Sequence, residues 1–262
     1  MSTDNEIYIR KIRDGIYLLD EDHEATGYLV VGNDKALVID TMNSHCDLKA
    51  TVRSLTDKPL MVVNTHGHPD HIFGNMYFNE AYMNPLDTEL AKMFIDQEAF
   101  QDLLKIKGKT MPPFKNICGG DVIDLGGRTI EVYDIPGHTK GSILLLLKED
   151  RILFVGDSIN HHLWLQLDGC PRVSEYMKNL EGLMFLQDKA DILLHGHGKE
   201  EDDISLMSCL LQGLRDICDG KTKDDQPYTY FGGIAKQHHF SCYKDKHYQQ
   251  DEHVICYRED NI

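Results

Sequence analysis

Four residues of metal-ligating type within six positions, His66, His68, Asp70 and His71 of THGHPDHIFGN, constrain this chain more than any other stretch. They follow directly on LMVVNT, a compact apolar run of the kind that makes a strand buried on both faces. Gly67 permits a tight bend and Pro69 fixes its own backbone angle, so three imidazoles and a carboxylate can converge from a rigid loop. A lone histidine is ordinarily a hydrogen-bonded core or surface residue. Four ligand types this close together read instead as a metal loop. Neutral imidazole and carboxylate oxygen suit Zn(II), and also Fe or Mn, and the cluster offers no thiolate.

Further pieces stand at the ends of later apolar runs. YDIPGH places His138 after a strand and a Pro-Gly break, ILFVGD places Asp157 after another, and DILLHGHG places His195 and His197 after a third. Each alone is weak, since a strand-terminal Asp is usually a turn or helix-cap residue and His195 could orient a ligand instead of being one. Together they put ligand residues at one rim of the same sheets, where a dinuclear site can form.

The runs IYIRKI, GIYLLD, TGYLVVG and KALVIDT read as strands, with a turn at Gly32, Asn33 and Asp34. DLKATVRSL reads as a short helix, and TIEVYDI, SILLLL, RILFVG and ADILLHG as later strands. Between the two β-rich halves, residues 79–119 turn rich in Glu, Asp, Lys, Met and Phe, with a helical pattern over LDTELAKMFIDQEAFQDLLKIK. This segment is expected to be a helical insertion lying over a site as a lid. Helices follow at EYMKNLEGLMFLQ and from about Asp203 to Cys218, where apolar residues recur at three- and four-residue steps. The last stretch, 221–262, is polar and aromatic; HVICYRE within it reads as an edge strand, and no chemistry is assigned to it. The order of elements suggests two β-rich halves packed face to face with helices outside.

With 262 residues and 41% hydrophobic composition, the chain can bury a substantial core, and it is expected to be one domain over 1–262 with a C-terminal extension at 221–262. Its net charge of −16 opposes phosphate backbones and anionic surfaces, so no nucleic-acid and no membrane partner is expected. No window reaches the roughly 18 apolar residues of a membrane helix, and the opening MSTDNEIYIR lacks the layout of a secretory signal. Seven scattered cysteines without a CxxC pair suit a reducing compartment, so the expected location is cytoplasmic.

HxHxDH, then PGHT, then strand-GD, then GHG, preceded by VIDT with Asp40, resembles the metallo-β-lactamase-fold superfamily, in the family's order, from about Gly15 to Gly198. The resemblance implies an α/β fold, an αββα sandwich of two mixed β-sheets with outer helices. It implies two divalent metal ions, zinc first and Fe or Mn by the same donors: His66, His68 and His138 at the first, Asp70, His71 and His197 at the second, Asp157 bridging. His197 is taken over His195 because the family sets its ligand between two glycines, here Gly196 and Gly198. Asp40 and His195 are then expected behind the ligands, as organisers.

Two cations about 3.5–4 Å apart share a water, bring its pKa from about 16 to about 7, and make hydroxide at neutral pH. Asp70 is the candidate catalytic carboxylate, accepting a hydrogen bond from that hydroxide and later helping to protonate the leaving group. No GxSxG elbow offers a side-chain nucleophile. The bridging Asp resembles glyoxalase-II-like thioesterases and lactonases, so the expected activity is hydrolysis of an ester, thioester, lactone or amide of a small metabolite. A mono-iron sulfur dioxygenase-like oxidoreductase and a non-catalytic metal-binding protein of the same fold are the alternatives. His23, His45, Phe73, His161, His162 and Trp164 are candidate pocket residues, and the aromatic tail leaves room for a homodimer.

Overall fold

A computed structural model describes residues 6–231, 233–242 and 252–262. Seven strands build the first sheet in chain order: β1 (Ile7–Arg13), β2 (Ile16–Glu21), β3 (Ala25–Val31), β4 (Ala36–Ile39), β5 (Leu60–Val63), β6 (Ala81–Met83) and β7 (Phe114–Asn116). Pairing is antiparallel through β4 and parallel from β4 to β7. The second sheet holds β8 (Val122–Asp124), β9 (Thr129–Asp134), β10 (Ile143–Leu147), β11 (Ile152–Gly156), β13 (Ile192–His195) and β14 (Asp202–Asp203), in the order β14-β13-β11-β10-β9-β8. Between β11 and β13 the chain passes through β12 (His162–Trp164), which belongs to a third, four-stranded sheet with β15 (Gln226–Tyr230), β16 (Gly233–His239) and β17 (Val254–Tyr257).

Period-two alternation decides which side chain enters which layer. In β10 the side chains of Ile143, Leu145 and Leu147 meet Leu18, Tyr28, Val30 and Ile39 of the first sheet, while Leu144 and Leu146 face the opposite way. There they pack on Tyr176 and Leu180 of α5 (Val173–Gly182) and on Leu210 and Leu214 of α6 (Leu206–Cys218). The outer face of the first sheet is closed by Leu48 and Val52 of α1 (Leu48–Leu55) and by Phe100 and Leu104 of α4 (Glu98–Lys107). At about 1.5–3 kcal/mol for each fully buried aliphatic or aromatic side chain, the three apolar layers outweigh any single polar contact. The architecture is the expected αββα sandwich.

Three expectations about the added segments change. The stretch 79–119 is not wholly helical: β6 and β7 lie near its two ends and extend the first sheet by two parallel strands. Its helical pattern breaks at Asp96 and Gln97 into α3 (Thr88–Ile95) and α4, because Gln97 is extended. The break sends Phe100 against Phe73, with ring centroids 3.7 Å apart, while α3 runs along a cavity. The HVICYRE strand is an interior one, since β17 lies between β12 and β16. No helix of the described residues is long and apolar enough to cross a membrane.

Candidate metal centre

The site is built where strands of both sheets end at the same edge. From β5 the chain runs through Asn64 and Thr65 to His66, Gly67 and His68 and into α2 (Pro69–Ile72), whose first turn carries Asp70 and whose Pro69 occupies the position proline favours. Gly67 is not in a left-handed conformation; its lack of a side chain gives room, since a Cβ there would lie 3.0 Å from the Asp87 carbonyl oxygen. His138 follows β9, Asp157 follows β11, His195 ends β13 and His197 stands just beyond it. The two sheets are stitched at this rim, where Tyr28 Oη donates to His195 O at 2.6 Å, Thr26 N to Gly196 O at 2.7 Å and Ile143 N to Thr65 O at 2.9 Å.

Two adjacent groups result. In the first, His68 Nδ1 lies 3.1 Å from His66 Nε2 and 2.9 Å from His138 Nε2. His138 Nδ1 donates to the Trp164 carbonyl at 2.8 Å, so its Nε2 carries a lone pair. Thr65 Oγ1 gives its proton to Asp40 Oδ2 and therefore accepts from His66 Nδ1 at 3.1 Å, which leaves a lone pair on His66 Nε2 as well. A single proton on His68 Nδ1 cannot serve both. Three converging ring nitrogens fit a cation.

In the second group His71 Nε2 stands 3.4 Å from Asp157 Oδ1 and 3.5 Å from Asp70 Oδ2, and His197 Nε2 stands 3.0 Å from Asp157 Oδ2 and 3.5 Å from Asp70 Oδ2. Asp40 Oδ2 accepts from His71 Nδ1 at 2.8 Å, and Asp40 Oδ1 from Thr65 N at 2.7 Å, so the buried carboxylate orients both loops from behind. His71 Nε2 and Asp157 Oδ1 are buried and make no hydrogen bond among the described residues, an arrangement that costs free energy unless a cation lies between them. Asp157 also reaches His138 Nε2 at 3.7 Å and so touches both groups.

Electrostatics divides the groups. Burial, then the neighbouring imidazoles, holds His66 and His68 well below the ordinary histidine range, and burial lowers His138 too, so the first group is neutral and ready to ligate. The Asp157 carboxylate instead raises His197 to about 9. Burial opposes the charged form of His71, and the Asp70, Asp157 and Asp40 carboxylates outweigh it and raise that group well above its usual value. Burial opposes the carboxylate of Asp157, yet His197 and His71 hold it well below its usual range.

Of the candidate pocket residues, His161, His162 and Trp164 border a cavity of about 900 Å³ that reaches both groups. The other three lie elsewhere. Phe73 stacks on Phe100 outside the first sheet, His23 stacks on Tyr8 at 4.6 Å and contacts Asp20, and His45 stands 3.5 Å from Glu24. His195 is not with His197: its ring turns toward Asp202 and His161 in a third buried group, where burial lowers it to about 4.

Other contributors carried little signal in the sequence. Asp87 is buried, and its carboxylate accepts from Gly67 N at 2.9 Å, Gly141 N at 2.7 Å and Thr139 Oγ1 at 2.6 Å, tying the His68 and His138 loops together. It reads as a helix-start residue in NPLD. Asp202 hides in the acidic run EEDD. Leu90, Met93 and Phe94 of α3 wall the cavity, and their three- and four-residue spacing was visible. The tail, to which no chemistry was assigned, contributes Phe231, Gln237, His239 and Val254 to the same wall.

Residues 22–197 match the model of the metallo-beta-lactamase superfamily. The chain belongs to that superfamily. It is 30% identical over 215 residues to the acyl-coenzyme A thioesterase MBLAC2 of Gallus gallus, covering 70% of this chain and 77% of that protein. It is 33% identical over 135 residues to a hydroxyacylglutathione hydrolase of Hyphomonas neptunium, covering 51% of this chain and 47% of that protein. A metallo-beta-lactamase family protein of Thermus thermophilus shares the fold with a TM-score of 0.62 at 19% identity, over 84% of this chain and 86% of that one. With the superfamily's His and Asp groups assembled at one rim, the chain is a metal-dependent hydrolase of this superfamily.

Proposed function

We propose that the protein is a dinuclear, zinc-dependent thioesterase that cleaves the thioester of an apolar acyl group. The observation that carries this reading is the cavity: it reaches both ligand groups, and its lining includes Leu90, Met93 and Phe94 of α3 and Trp164, Phe231 and Val254. Relatives named for acyl-coenzyme A and acylglutathione hydrolysis support the choice of bond.

His66, His68 and His138 would hold one ion, Asp70, His71 and His197 the other, with Asp157 shared. Two divalent ions supply a nucleophilic water of lowered pKa and polarise the acyl carbonyl. The remaining work falls to the chain. Asp70 is only partly buried and opens onto the cavity, so its carboxylate is placed to accept a proton from the attacking water and deliver it toward the leaving group. The apolar walls hold the acyl chain and exclude bulk water, which strengthens every charge interaction at the rim. A thiolate leaves readily, so the chain needs no strong general acid.

The test is a panel of acyl thioesters, oxygen esters, lactones and β-lactams assayed on zinc-loaded protein. Thioesters of medium or long apolar acyl groups should exceed every other class in kcat/KM by at least about tenfold, and Asp70→Asn should lower kcat on the best of them by about 10²-fold or more. Turnover of β-lactams or lactones above thioesters, or full activity with iron and oxygen consumption, would remove this reading.

A further inference from the structure

The described residues hold one more buried polar cluster, outside both ligand groups: His161, His195, Asp202 and His253, exposed by 3%, 3%, 5% and 1%. Asp202 Oδ1 lies 3.1 Å from His161 Nε2, Asp202 Oδ2 lies 3.4 Å from His195 Nε2, and the Nδ1 atoms of His161 and His253 are 2.9 Å apart. Two imidazoles and a carboxylate converging at such distances suit either a third cation or a hydrogen-bonded brace.

The backbone decides between them. His197 N donates to His195 Nδ1 at 3.2 Å, so that nitrogen carries the lone pair and the proton of neutral His195 sits on Nε2. A cation among these groups would need the lone pair on Nε2, which the amide contact at Nδ1 denies it. The Nε2 proton instead faces the Asp202 carboxylate at 3.4 Å, an attraction of charge without the alignment of a hydrogen bond.

We infer that Asp202 is a positioning residue for the second ligand group: by holding His195 in its Nε2–H tautomer it presents Nδ1 to the His197 amide and fixes the turn that carries the His197 ring to Asp157. The mechanical path is short. Asp202 pairs with Leu193 in the register of β14 against β13, His195 ends β13, and His197 Nε2 is 3.0 Å from Asp157 Oδ2 two residues later. Behind Asp202, His161 Nε2 meets the other carboxylate oxygen, and His253 in turn meets His161 Nδ1. His161 begins the segment entering β12, and His253 immediately precedes β17. The second ligand group is thereby tied to the third sheet.

The inference rests on the two-ion reading, and zinc binding by the full chain separates the two. Competition with a chromophoric chelator should give two zinc ions for the unaltered protein; fewer than two would fail that reading before any variant is compared. Asp202→Ala and His195→Leu should each weaken one ion by about 10–100-fold and leave the other unchanged, and the double variant should lose no more than either single one. Asp202→Asn should stay within about threefold of the unaltered chain, because its amide oxygen still turns a negative dipole end to the His195 N–H and a tautomer change at His161 accommodates its NH₂. Long-range ¹⁵N–¹H spectra of the unaltered protein should show His195 protonated at Nε2, a reading independent of whether any variant folds. The inference is overturned by Nδ1 protonation of His195, by equal weakening of both ions together with a lowered Tm, by unchanged binding in Asp202→Ala, or by a third zinc ion that Asp202→Ala releases.

Discussion

Among single residues, the centre depends on which nitrogen faces inward and on how much room is left beside it. Asp40, Thr65 and the Trp164 carbonyl turn His71, His66 and His138 so that each Nε2 points into the site. Charge should make the two groups bind metal differently with pH. His197 is raised to about 9 by Asp157 and His71 is raised as well, so at neutral pH a cation entering the second group must displace protons. Affinity there should climb with pH by about tenfold per unit per proton released across pH 7 to 9. The lowered values of His66, His68 and His138 leave the first group without proton competition, so its affinity should be flat from pH 7 to 9. Calorimetry in buffers of different protonation enthalpy separates these behaviours, and two equal slopes would contradict the assignment. Space is as strict as charge. A Cβ on Gly196 would lie 2.4 Å from His71 Cε1 and 2.5 Å from Asp157 Oδ1. Gly196→Ala should therefore cost about 1–3 kcal/mol in urea unfolding and lose one zinc ion per chain while keeping the other.

Between elements, loops from different strands are held in register by buried carboxylates. Asp87, at the start of α3, joins Gly67 of the first histidine loop to Thr139 and Gly141 of the His138 loop. Asp87→Ala leaves two buried backbone N–H groups and a hydroxyl without their acceptor. At about 1–3 kcal/mol for each buried polar group left unsatisfied, a loss of at least about 2 kcal/mol is expected in denaturant unfolding. Zinc binding by His66, His68 and His138 should weaken in parallel. A variant with unchanged unfolding and unchanged zinc affinity would show that the loops hold their places without it. The segment between β6 and β7 has two duties, since its ends extend the first sheet and its α3 walls the cavity.

For the molecule as a unit, the apolar layers between and outside the sheets are expected to hold the scaffold without metal. The candidate ligands stand at the rim where strands of both sheets end. Chelation by EDTA should leave far-UV circular dichroism nearly unchanged at 25 °C while lowering Tm. Each ion present at about a thousandfold above its Kd adds about 4 kcal/mol to the folded state. Loss of secondary structure on chelation would mean that the metals organise the sheets themselves.

The fold class was legible in the amino-acid order, through apolar runs read one at a time and the motifs that resemble the superfamily, and so was the fact that these His and Asp residues meet at one rim, because each stands at the end of its own strand. Alternating and continuous apolar runs specify strands one at a time, and HGHPDH, PGH, GD and GHG each place their ligand at a strand end. The expectation of His197 over His195 came from the resemblance, whose ligand stands between two glycines, here Gly196 and Gly198. Whatever depends on which surfaces meet became definite only on packing. Packing sent Phe73 to Phe100 and away from the cavity, and made a strand of the tail interior. It drew Asp87 and Asp202 out of ordinary polar stretches into buried junctions, since a carboxylate's role there is set by donors brought to it from distant parts of the chain.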